Sequence, residues 1–214
     1  MVYSVEDIKR DVRIALDQNN SSDALIETGD IDTLTLEEII ESKIEDAAKV
    51  VTLDAPNYML ESGELFGKSI GWQGNVGYGA GYIFLPEDFL RLVSFQMSDW
   101  SYAVTEPITA NHPLYKVQFS RFSGVRGNPQ NPVVAIVTQI GGQVLQFFSC
   151  AIGESVYVKQ ASYIPIPKIK DGEIDICERL RPSVIYHTAY LVALSINDAN
   201  TASAMLNISK ELLR

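Results

Sequence analysis

Helical patterns stand at both ends of this chain and a strand-rich stretch lies between them, an order that restricts the fold more than any other feature of the sequence. The first pattern starts at Ser4, placed with Asp7 as a helix cap, and sets Val5, Ile8, Val12 and Leu16 on one stripe. It gives way at Asp17-Gln-Asn-Asn-Ser-Ser-Asp23, residue types that favour turns over helix. Thr35 with Glu38 forms a second capping box. Behind it, Ile39, Ile40, Ile44, Ala47, Ala48 and Val51 share one face, and Glu37, Glu41, Lys43, Glu45, Asp46 and Lys49 share the other. This predicts a long amphipathic helix that ends at Asp54-Ala-Pro56, because the residue before a proline is driven out of the α region.

From about residue 65 the texture changes to short runs of Val, Ile, Phe and Tyr broken by Gly, Pro, Asn and Ser. Strands are predicted near 81–86, 91–97, 100–105, 115–121, 132–140, 143–150 and 155–162. The clearest pair is Val133–Ile140 with Gln143–Cys150, since Gly141-Gly142 supplies the positive φ angles of a tight hairpin. After Pro165-Ile-Pro167 and an acidic connection over 171–178, Arg181-Pro182 opens a helix, proline being tolerated in a first turn. That helix, from Val184 to Ile196, is apolar around most of its circumference and so must be covered on several sides. Asn197-Asp-Ala-Asn200 breaks it before a last amphipathic helix over 201–213. The economical reading is an α+β fold: a helical domain from residues 1–64 and 177–214, with an antiparallel β module over 65–176 inserted between them.

With 214 residues, 46% apolar and 21% charged, the chain can bury a real core and is far from a disordered composition. The opening residues are charged and lack an apolar run, so no secretory signal is expected, and the longest apolar stretch, Val184 to Ile196, is too short to span a bilayer. Cys150 and Cys177 lie far apart, with neither a CxxC nor a neighbouring histidine, and both read as buried, reduced thiols.

The net charge is −10 and unevenly placed: residues 1–64 carry 5 Lys/Arg against 16 Asp/Glu, while residues 65–170 carry 8 against 5. Such a balance opposes tight nucleic-acid binding, which needs clustered cations to displace counterions, and suits a surface that DNA slides past.

Catalytic motifs are present only in fragments. Gly67-Lys-Ser69-Ile-Gly71 matches G-x-S-x-G, but a nucleophile elbow needs a helix after the serine, and the glycine-rich residues to Gly79 do not provide one. Gly63-Glu-Leu-Phe-Gly67-Lys68-Ser69 is one residue short of the loop that cradles a phosphate. Gly77-Tyr-Gly79-Ala-Gly81 lacks the preceding strand and following helix of a dinucleotide site. Glu87 and Asp88 are adjacent and read as solvated turn residues, since paired glycosidase carboxylates face each other from separate elements. His187 reads as a core or interface histidine and His112 as a loop residue. Trp72 and Trp100 with nearby tyrosines leave open a different reading, a cytosolic β module that stacks a sugar or other small molecule on aromatic faces.

Several stretches together resemble a known family. Phe84-Leu-Pro86-Glu-Asp88-Phe-Leu-Arg91, then Trp100, the loop Ser123-Gly-Val-Arg126-Gly-Asn128-Pro129, Pro132-Val-Val-Ala135 and the helix Ser183-Val-Ile-Tyr186-His-Thr-Ala189-Tyr190 are similar to head-to-tail connector proteins of tailed bacteriophages, in particular the ring proteins of crAss-like phages. The resemblance spans roughly residues 80–214. It implies a non-enzymatic virion protein without cofactor or metal, assembled in the host cytoplasm. Copies would form a homo-oligomeric, dodecameric ring in the neck beneath the portal, touching other neck and tail ring proteins while genomic DNA passes through its channel. It further implies assembly contacts at Arg126 and Asn128, as a loop tip, and at Tyr186, Tyr190 and Leu194, where neighbouring subunits would cover the over-apolar helix.

Overall fold

The computed structural model describes residues 1–16, 35–61, 63–67, 69–73, 79–122, 124–151 and 156–214. The polar stop expected at 17–23, Lys68, most of the glycine run before Gly79 and Ser123 lie outside these. The elements begin with β1 (Val2–Ser4), α1 (Val5–Ala15) and α2 (Leu36–Asp54), then β2 (Glu64–Leu65), β3 (Gly71–Trp72), β4 (Gly79–Phe84) and β5 (Phe89–Met97). They continue with β6 (Ile108–Thr109), α3 (Pro113–Val117), β7 (Val134–Gln139), β8 (Gly142–Cys150) and β9 (Val158–Pro165). The chain closes with β10 (Ile169–Lys170), β11 (Glu173–Asp175), α4 (Arg181–Ser195) and α5 (Ala199–Glu211). The fold is α+β.

Two compact units divide it, one from 1–61 with 166–214 and one from 62–165. The return into the helical unit therefore comes earlier than the expected 176/177. Its physical cause is a small sheet, β1-β11-β10, in which β11 pairs antiparallel with both neighbours and so ties residues 169–175 to the N-terminus of the chain.

The helical unit is organised around α4, which packs on α1, α2 and α5 of the same chain. Val184, Ala189 and Val192 of α4 meet Ile8 and Val12 of α1 and Ile40, Ile44 and Ala48 of α2 in one core. Ser183 and Ser209 exchange bonds between α4 and α5: each hydroxyl donates to the other's carbonyl, at 2.9 and 3.0 Å. These partners cover most of the apolar circumference of α4 without a second subunit. The capping box forms as the sequence predicts. Glu38 N donates to Thr35 Oγ1 at 3.3 Å and Thr35 N donates to Glu38 Oε2 at 2.8 Å. The bonds that its Oε2 accepts from Thr35 N and, at 2.9 Å, from Thr35 Oγ1 hold the Glu38 carboxyl below its usual range. The break between α4 and α5 falls at Asn197, with φ 60°, and Asp198 caps α5 by accepting from Thr201 N.

In the β unit, β2-β9-β5 form one sheet and β3-β4-β8-β7-β6 a second. Among the described residues the strand pairings are antiparallel, as the sequence predicts, apart from the two-residue β6, which runs parallel to β7. Phe95 of β5 stacks on Phe147 of β8 at 6.0 Å between the two sheets. Side chains alternate along β8: Leu145 and Phe147 enter this core, while Val144 and Phe148 enter a second cluster on the opposite face, packed by Tyr115 of α3. The hairpin from β7 to β8 turns at Gly141 and Gly142, with φ 112° and 135°.

Two expected strands are absent. Residues 100–105 contribute a single bridge, Val104 to Phe95. Within 115–121 the chain is α3 and turn: His112 caps the helix by accepting from Leu114 N at 3.2 Å, and Pro113 sits in its first turn, so start geometry overrides the aromatic and β-branched content.

Candidate assembly surfaces

The segment from α3 to Gly127 is stapled to the β unit from several sides. Gln118 is buried; its Nε2 donates to Leu114 O at 3.0 Å and its Oε1 accepts from Gly127 N at 2.8 Å, so one side chain closes the whole segment. Tyr115 donates to Gln146 Oε1 at 2.8 Å, and Tyr115, Phe119 and Phe148 form an edge-to-face triangle with centroids 5.4–6.0 Å apart. Gly127 must be glycine, because a Cβ there would lie 2.4 Å from Ser149 Oγ, itself buried and accepting from Val133 N.

Arg126, expected at a reaching tip, is half-buried and folds back, its guanidinium donating to Gly127 O and Phe148 O, both at 3.3 Å. Asn128 is likewise a local brace, its Oδ1 accepting from Gln130 N and Asn131 N at 3.0 Å. What this segment leaves exposed is a different set: Phe122 is 75% exposed and Val125 59%, and Leu114 and Phe119 are half-exposed. Lys116 and Arg121 are exposed among them. Sequence reasoning overlooked this knob, although one trace was readable: between Glu106 and Glu154 there is no acidic residue, and the only charges are Lys116, Arg121 and Arg126.

Ile140, at the β7–β8 turn, is fully exposed. On the helical unit, Tyr186 and Tyr190 are half-buried, Tyr190 lying edge-on to His187 at 5.3 Å, and Leu194 is exposed. Of the five side chains implied as contacts, Leu194 is therefore the openly presented one.

The opposite electrostatic character appears on α2. Glu38, Glu41, Ser42 and Glu45 line a shallow open depression with Ile169. Glu41 and Glu6 clamp the buried Lys9 ammonium at 2.9 and 2.7 Å, Arg13 pairs with Glu37, and Glu45 accepts from Ile169 N at 2.7 Å. Residues 62–165 carry six Lys/Arg and six Asp/Glu, so the net charge of −10 falls wholly on the helical unit.

The fragmentary catalytic motifs acquire structural settings. Ser69 and Ile70 lead into β3 instead of a helix, and Gly79 and Gly81 lie within β4. Glu87 and Asp88 stand in the turn before β5, Glu87 exposed and Asp88 half-buried with its carboxylate accepting from Tyr163 Oη at 2.9 Å. Burial and that carboxylate push the Tyr163 phenol up to about 12. His187 is buried on α4, in the helical unit, whereas Ser69 belongs to the β unit. Trp100 is buried and edge-on to Phe95 at 5.6 Å, so it cannot share a stacking platform with the half-exposed Trp72. Cys150 is buried, with burial pushing its thiol up, but Cys177 is only half-buried and accepts from Glu61 N at 3.4 Å. Among the described residues no group of His, Cys, Asp and Glu could hold a metal ion, and no helix is long and apolar enough to cross a membrane.

No family model matches the chain, and no curated protein matches it.

Proposed function

We propose that this protein is a structural ring subunit of the neck of a tailed phage, joining portal and capsid to tail while DNA passes through the ring. One observation supports the reading above the rest: Phe122 and Val125, between Gln118 and Gly127 that a hydrogen bond ties together, both stand exposed to water. Large apolar side chains fixed outward in a group mark association surfaces, whereas isolated ones need no explanation. The stretches that carry the phage resemblance occupy β4 and β5, the start of β7 and α4. An acidic helical unit around a channel would leave DNA free to slide, with no phosphate contacts to hold it. The partners would be further copies of this chain, in a dodecamer, with the portal and adjoining ring proteins above and below.

Mass photometry over a rising concentration series tests the reading. Cyclic closure predicts one discrete high-mass species growing at the expense of monomer. A continuous ladder of sizes, or monomer throughout, would overturn it.

A further inference from the structure

We propose that neighbouring copies join head to tail, the aromatic and basic knob of the α3 segment in one copy docking on the acidic depression of α2 in the next. The inference rests on the ring reading and adds the interface to it. The knob presents Leu114, Phe119, Phe122 and Val125 with Lys116 and Arg121, and no ion pair among the described residues engages either cation. The exposed Glu38, Glu41 and Glu45 line a depression in which Ile169 supplies an apolar contact, and Asp46, next to Glu45 in the chain, is exposed as well. The bonds from Thr35 keep the Glu38 carboxyl ionised to lower pH than usual.

Charge chooses the pairing. Two knobs facing each other would bring Lys116 and Arg121 against their own copies, and two depressions would oppose carboxylates. Only knob to depression places unlike charges together. Because the two surfaces belong to different units of the chain, each copy offers one of each. Such an interface is heterologous, and repeated with a closing rotation it generates a ring.

A reciprocal charge exchange in the full-length protein tests this. Variant one carries Lys116→Glu and Arg121→Glu. Variant two carries Ser42→Lys, Glu45→Lys and Asp46→Lys, leaving the Glu41–Lys9 pair in place. Sedimentation velocity should show self-association of the unmodified chain weakened at least about tenfold in either variant alone. Mixed at equal amounts, the variants should regain it, because each knob then meets a depression of opposite sign. Circular dichroism melts establish that both variants fold. Should variant two fail to fold, raising salt on the unmodified chain from about 50 to about 500 mM must still weaken association, since the charges are exposed. Variants that associate as the unmodified chain does, or an indifference to salt, overturn the interface while leaving the ring reading standing. An unmodified chain that stays monomeric at every concentration overturns both.

Discussion

Phe122 and Arg126 stand close together in the sequence, yet substitution should separate their effects completely. Phe122 is 75% exposed, and a phenylalanine side chain carries about 150–250 Å² of surface, so about 150 Å² remains open. Covering that area at about 25 cal/mol per Å² contributes at most about 4 kcal/mol, and about 2–3 kcal/mol once ordering costs are included. Phe122→Ser should therefore weaken association about 30- to 150-fold and shift folding stability by less than about 0.5 kcal/mol. Arg126→Ala should do the reverse. Its guanidinium donates to Phe148 O and Gly127 O at 3.3 Å, and losing these long, partly exposed bonds should cost about 1–2 kcal/mol of stability. Urea denaturation reads the stability change and sedimentation velocity the association. If Phe122→Ser lowers the unfolding midpoint and leaves association intact, the knob is a packing element and the argument built on it fails.

Four further outcomes follow from the same geometry. Ile44→Ala, at a fully buried position of α2, should cost about 2–5 kcal/mol in chemical denaturation, and Thr35→Ala should cost about 0.5–2 kcal/mol through loss of the capping box. Burial lowers the His187 pKa below 6.5, with nearby Lys210 acting in the same direction and Asp54 opposing it. Its stabilising contribution is thus present above the unfolded pKa of 6.5 and is lost as pH falls towards the folded value, so urea midpoints should decline between about pH 6.5 and 5 and decline less in His187→Gln. Trp100→Ala should unfold the β unit more readily without altering any sugar affinity, as followed by thermal melts with and without added sugars, because Trp100 is buried against Phe95.

The legible parts of the fold were those where local chemistry and tertiary packing agree. Thr35 and Glu38 announce α2 because both halves of the capping box sit beside an unbroken apolar face. Gly141-Gly142 announces the β7–β8 hairpin because few other residues adopt those φ angles. The short strands β1, β10 and β11 were not legible, since a two- or three-residue strand has no periodicity and exists only through its partners. Residues 115–121 misled in the other direction: Tyr115, Val117 and Phe119 look strand-like, while the decisive information was the His112-Pro113 start.

The same mechanism hid the candidate site. Arg126 is conspicuous between glycines, but whether an arginine reaches out or folds back depends on carbonyl groups distant in sequence, here Phe148 O. Phe122 and Val125 read as ordinary apolar residues until the Gln118 staple is seen to hold their segment with its outer side in water. The over-apolar α4 suggested a subunit interface, yet α1, α2 and α5 supply most of its cover. An all-apolar helix says that it is surrounded; it does not say by which chain.

Negative-stain electron microscopy of the concentrated, purified chain tests the central claim most directly. Closed rings of uniform diameter with a central channel, formed by repeated knob-to-depression contacts, are the expected result. Fields of single particles, or open filaments that never close, would contradict it.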